Sequence, residues 1–158
     1  MPNTQSMCTS FMQEVLTATH NFGTAPIRAA STADTFKAAL YLASATVNAS
    51  TTAYSATNEV SGTGYTAGGV AVTNATAPLS TNASATAGVA YWTPSASVTY
   101  TTVTLTTAFD AVLIYNNTQS NRAVSVHTFG SQTVTAGTFT LTMPSNTTTA
   151  ALLRLATT

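Results

Sequence analysis

Four carboxylates, two histidines, one cysteine and fifteen serines are the residues with which this chain could do chemistry. Glu14, Asp34, Glu59 and Asp110 are scattered singly, so spacing does not prefigure the carboxylate pair that acid-base or glycosidic chemistry needs. A hydrolase triad could draw on Asp110, His127 and a serine, but no Gly-x-Ser-x-Gly elbow presents a nucleophile. His127 alternates onto the face of Ala123, Ser125 and Phe129 and reads as a packed or edge histidine. His20 falls near the end of an expected helix, where a cation is mildly favoured. Cys8 and two distant histidines offer no metal-ligand spacing. Gly62, Gly64, Gly68 and Gly69 fit neither the dinucleotide nor the Gly-Lys-Ser/Thr phosphate pattern and read as turns or bulges. Thr-x-Thr runs at Thr102, Thr104, Thr106 and at Thr138, Thr140, Thr142 resemble ice-binding ranks, yet the coil repeat such arrays need is missing. A non-enzymatic chain is expected, without catalytic residues, cofactor or metal.

One carboxylate stands apart. Glu59 is the sole charge between Lys37 and Asp110, set among Tyr54, Val60 and Tyr65. Buried without a donor it would be costly. Backbone N–H groups of the Gly-rich turn, Arg122 or Arg154 could supply one, and Glu59 is expected to be a structural anchor.

The elements that must position these residues are constrained by composition. The 158 residues suit one domain over 1–158; half are Thr (36), Ala (28) or Ser (15), and four Lys or Arg balance four Asp or Glu. No basic patch exists for nucleic acid or an anionic membrane surface, so neither is an expected partner. At 44% hydrophobic the chain should fold, while 5% charge leaves a surface of hydroxyls, amides and methyls. Little repulsion would keep copies apart, so burial against identical chains or a larger lattice is expected. Met1 to Phe22 lacks the basic flank and apolar run of a secretory leader, and one cysteine suits a reducing cytoplasm. Asn-x-Ser/Thr triplets at Asn48, Asn74, Asn82, Asn116 and Asn146 are then expected by chance.

Ser10 with Gln13 fits a capping box, and Phe11, Val15, Ala18 and Phe22 follow at helical spacing, with Met12 and Leu16 beside them and Gly23 as a stop. A short N-terminal α-helix over 10–22 is predicted. Its stripe of Phe11, Val15, Leu16 and Phe22 either covers its own sheet or makes a subunit contact. After a connector containing Pro26 the period changes to two, and 35–156 reads as a β-body. Phe36, Ala38, Leu40 and Leu42 predict a strand with one buried face; later strands are expected at 97–106, 109–116, 122–129, 132–143 and 150–156. A change of parity near Thr101 and Thr102 requires a bulge or turn, 116–121 a polar hairpin loop, and Ala136-Gly137 a tighter turn. Thr73 to Ala90 reads as a loop. The fold class is mainly β, an antiparallel β-sandwich or jelly-roll-like domain.

The chain resembles a family of small structural proteins encoded among the virion genes of tailed, often marine, bacteriophages. The resemblance is carried by Cys8-Thr-Ser-Phe11, His20-Asn-Phe22 and Phe36-Lys-Ala-Ala-Leu-Tyr41, then by Thr52-Ala-Tyr-Ser-Ala-Thr-Asn-Glu-Val-Ser-Gly-Thr-Gly-Tyr-Thr-Ala-Gly-Gly69, and finally by Leu113-Ile-Tyr-Asn116, Asn121-Arg-Ala-Val124 and Phe129-Gly130. It spans nearly the whole chain. Similar proteins usually have a small or basic residue where Phe109 and Asp110 stand, and the charge-poor stretch 76–107 departs from them too. The resemblance implies a virion protein assembled in the host cytoplasm. Its expected role is a capsid decoration (cement) protein that forms a homo-oligomer and binds the major capsid protein; a head-tail connector, neck or fibre component is the alternative. A carbohydrate-active β-sandwich enzyme is a third reading, disfavoured by the missing carboxylate pair.

Overall fold

A computed structural model describes residues 3–8, 10–11, 15, 19–20, 22, 33–73, 77–81 and 88–156. The fold is mainly β, with two antiparallel sheets. Its strands are β1 (Ser6–Met7), β2 (Phe36–Leu42), β3 (Val70–Val72), β4 (Leu79–Ser80), β5 (Val89–Trp92), β6 (Val98–Asn116), β7 (Arg122–Leu141) and β8 (Leu153–Ala156). One sheet has the order β1-β7-β6-β2-β3 and the other β4-β5-β8.

Strand β2 forms where the two-residue period begins and pairs antiparallel with β6 from Phe36↔Asn116 to Leu42↔Phe109. The expected single buried face is corrected: Phe36, Ala38 and Leu40 are buried, and so are Ala39 and Tyr41 on the other side. Alanine makes this workable, since its small side chain lets another layer approach closely. Phe36, Leu40, Leu105, Phe109, Leu113, Ile114 and Val124 lie at the centre of the core.

Four segments expected as separate strands merge into two. β6 and β7 run as one ribbon closed by a turn in which Ser120 and Asn121 have φ of 52° and 57°. The expected parity change is a register shift between Tyr100 and Val103, with Thr102 at φ 53°. It keeps Val98, Tyr100, Val103 and Leu105 buried. The turn expected at Ala136-Gly137 is instead an irregularity inside β7, with Ala136 at φ 46° and Gly137 opposite Val103. Further shifts near Phe109 bend the ribbon. Phe109 pairs with Gln132, seven residues before Phe139, a distance of about 23 Å along a straight strand. The Phe109 and Phe139 ring centroids nevertheless lie 5.1 Å apart, with Phe129 5.2 Å from Phe139. Packing of the partly buried Phe129 and Phe139 rings on the buried Phe109 accompanies this folding of the ribbon on itself.

No N-terminal helix is delineated as an element. Ser10, Phe11 and Val15 have helical backbone, whereas Thr19, His20 and Phe22 do not; Met12, Gln13, Leu16, Ala18 and Gly23 lie outside the described residues. The run to residue 22 is therefore corrected, because His20 and Phe22 leave helical conformation to pack their rings on Phe36. The capping role expected of Ser10 is also corrected. Its Oγ is buried without a hydrogen-bond partner among the described residues, outside which Gln13, the other half of the expected capping box, lies; Phe11 N–H instead donates to Cys8 C=O at 3.1 Å. Within 73–90, read as a loop, the described residues include β4 and the start of β5, which pair as Leu79↔Tyr91 and Ser80↔Ala90.

Candidate functional site

The central segment, residues 52–69 between β2 and β3, is built around Glu59. Where β3 stops pairing with β2, this segment takes over the free edge: Val60 N–H donates to Leu40 C=O at 2.9 Å and Leu42 N–H to Asn58 C=O at 3.0 Å. Isolated bridges Ala53↔Arg122 and Thr63↔Thr104 tie it also to β7 and β6. Glu59 is buried, 8% exposed. The Tyr54 hydroxyl donates to Oε2 at 2.6 Å; the Tyr65 hydroxyl and the Gly68 N–H each donate to Oε1 at 2.7 Å. Of the donors considered from sequence, the Gly-rich turn is the one that engages. Gly68 and Gly69 adopt φ of 88° and 72°, which aims the N–H inward, and a Cβ on Gly69 would stand 1.7 Å from the Ala38 carbonyl oxygen. In the sequence the tyrosine donors are marked only by their positions flanking Glu59 and by the need of a buried phenol for a partner.

Further tyrosines complete the brace. Tyr54 stacks on Tyr115 at 4.7 Å and Tyr65 on Tyr100 at 5.9 Å. Tyr115 and Tyr100 donate to the carbonyls of Gly68 and Ala38, both at 2.8 Å, and Tyr41 to that of Ser55. Burial, reinforced by the nearby Glu59 carboxylate, pushes Tyr115 up to about 12. Burial likewise raises Tyr41 to about 12, against the hydrogen bond to Ser55, and raises Tyr100 further. Burial and the hydrogen bond to Glu59 both raise Tyr54 and Tyr65. All five are held as neutral donors. This arrangement fastens the central segment to β2, β6 and β7 by hydrogen bonds and ring contacts.

An apolar groove of about 160 Å³ opens beside the second sheet, lined by Met7, Phe11, Val15, Phe22, Pro78, Ala90, Tyr91, Trp92, Leu153 and Leu155. Phe22 stacks on Phe36 at 4.5 Å and meets Trp92 at 4.7 Å, joining the two sheets through aromatic contact. The residues expected as a subunit-contact face separate here. Phe11 is buried and belongs to the core, Val15 and Phe22 are half-buried on the groove wall, and Leu16 lies outside the described residues. Leu155 on the rim and Leu79 on β4 are 45% and 46% exposed, the large apolar side chains most open to solvent among the described residues.

The remaining chemistry-bearing side chains sit in separate polar clusters. Asp34, 4% exposed, accepts from Asn116 Nδ2 at 2.7 Å and from Gln119 Nε2 at 3.1 Å, and Asn116 Nδ2 also lies 3.0 Å from His20 Nδ1. Asp110 accepts from Asn3. Ser125 Oγ lies 2.9 Å from His127 Nε2, but Ser125 is 1% exposed and offers a substrate no approach. Burial pushes His127 down to about 4. Cys8 is buried with its Sγ 4.0 Å from the Asn48 carbonyl oxygen, and Glu14 lies outside the described residues. Arg154 stands exposed on β8. Among the described residues no three His, Cys, Asp or Glu are grouped as metal ligands, and no helix is long and apolar enough to cross a membrane. Comparison with protein-family models, with curated proteins and with solved structures finds no match.

Proposed function

We propose that the chain is a non-enzymatic structural protein of a tailed-bacteriophage virion, a capsid decoration (cement) protein seated on the major capsid protein lattice. In this reading its two antiparallel sheets form a sandwich or jelly-roll-like body, and it is assembled in the host cytoplasm. The observation that carries the proposal is the apolar groove with Leu155 on its rim, in a chain with 5% charged residues. Contacts available to such a surface are packing and hydrogen bonding, which salt screens far less than ion pairs. The sequence resemblance supports the same class. A carbohydrate-active enzyme is less well served: Asp34, Glu59 and Asp110 each sit in a separate set of donors, where glycosidic chemistry needs two carboxyl groups facing one bond.

Protein stoichiometry of purified virions tests the role. A decoration protein is expected at an abundance comparable with the major capsid protein. Ring-like scarcity would transfer the chain to the neck, connector or fibre, and absence from virions would overturn the reading altogether.

A further inference from the structure

Strand β8 uses one of its two edges. Val89↔Ala156, Ala90↔Leu155, Tyr91↔Arg154 and Trp92↔Leu153 pair it with β5, and the order β4-β5-β8 leaves its other side without a strand among the described residues. Such an edge presents a row of N–H and C=O groups whose complement is another extended strand. Proteins commonly blunt an exposed edge with proline, several charged side chains, lysine above all, or a bulge, and this edge carries the single charge of Arg154. Leu153-Arg-Leu-Ala156 has no proline or lysine and no positive φ, and its second leucine is 45% exposed.

We propose that this edge pairs antiparallel with β8 of a second copy, about a two-fold axis at Leu155. Charge permits a second copy as the occupant and selects the register. Arg154 is the one charge on the strand, and a chain of zero formal net charge does not repel its own copy. An axis at Arg154 would set two guanidinium groups directly opposite one another, which is destabilising. An axis at Leu155 sets Leu155 against Leu155 of the partner subunit and Arg154 against Ala156 of the partner subunit. Strand alternation puts Leu153 and Leu155 on the groove side. The grooves of both copies then meet across the axis as one apolar trough. A ladder this short is far below the roughly 1,200 Å² of a stable interface, so it forms at high copy concentration, and in this it rests on the lattice role proposed above.

Disulfide trapping of full-length protein in concentrated solution tests the register. The residue on the axis meets its own copy at about 5 Å between Cα atoms, within disulfide reach, whereas residue 154 is offset from its copy by about 8 Å. Leu155→Cys should therefore oxidise to a covalent dimer and Arg154→Cys should not; buried Cys8 does not compete. The parent protein should show a concentration-dependent dimer in light scattering, and Leu155→Lys should lose it while keeping the parent melting curve. A Leu155→Cys protein that stays monomeric, or an equal yield from both cysteine variants, overturns the pairing. Virion abundance is measured separately: a monomeric Leu155→Cys protein that still loads virions refutes the edge contact alone, while cross-linking of a chain absent from virions supports the contact and refutes the lattice role.

Discussion

The Tyr65 hydroxyl donates to Glu59 Oε1 at 2.7 Å while accepting the Leu40 N–H at 3.0 Å, so one phenol links the buried carboxylate to the backbone of β2. Removing the carboxylate leaves the Tyr54 and Tyr65 hydroxyls and the Gly68 N–H without their acceptor. Glu59→Ala should cost about 3 kcal/mol, lowering Tm by roughly 6 to 12 °C in a thermal melt. Glu59→Gln should cost less, because the Tyr54 hydroxyl can turn to accept from the new amide. An unchanged melting curve for Glu59→Ala would remove the anchor role.

The same brace makes stability sensitive to alkali. Tyr41 and Tyr115 sit at about 12 in the folded protein, against an unfolded value of 10.0, and Tyr54, Tyr65 and Tyr100 are raised as well. The unfolded chain releases these protons more readily, so the contribution is fully present below pH 10 and is lost as pH rises through the folded values. Denaturant midpoints should hold steady up to about pH 10 and then fall. Phenolate absorbance from these tyrosines should rise together with the loss of β-sheet circular dichroism; phenolate appearing before unfolding would contradict the buried hydroxyls.

Much of this architecture was legible in sequence because it follows local rules. The change from helical to alternating period at Thr35 marks the start of β2, and the parity slip at Thr101 and Thr102 marks a register shift in β6. What could not be read is long-range. Ala136-Gly137 looks like a turn in isolation, but pairing with β6 carries the strand through it. The covered second face of β2 depends on a segment that returns only at Tyr54 to Tyr65. Likewise, helical spacing leaves open whether Phe11 covers its own sheet or meets a subunit, and the long-range contacts of its ring with His20 and Phe22 place it in the core.

Two glycines give a paired test of how closely the central turn meets β2. Gly69 has φ 72°, and its added Cβ would lie 1.7 Å from the Ala38 carbonyl oxygen, so backbone must move to admit a methyl group. Gly69→Ala should destabilise by more than about 3 kcal/mol and lower the yield of folded protein. Gly130 on β7 has open space at the same point, and Gly130→Ala should shift stability by no more than about 1 kcal/mol. Similar melting temperatures for the two variants would contradict the close approach at Gly69.

At acid pH the sensitive group is His127. It sits on β7, its Nε2 2.9 Å from Ser125 Oγ, and lines a cleft with Gln5, Leu141 and Leu152. Burial pushes it down to about 4 from an ordinary 6.5, because the imidazolium loses solvation there. The unfolded chain thus binds the proton more tightly, so stability rises with pH across this interval. The contribution is complete above pH 6.5 and is lost as pH falls toward about 4. Denaturant midpoints should decline over this range, and His127→Gln should flatten the decline without abolishing folding at neutral pH. The His127 ring resonance, followed by NMR, should titrate near the lower value; titration near 6.5 would mean the imidazole meets water and would remove this source of acid sensitivity.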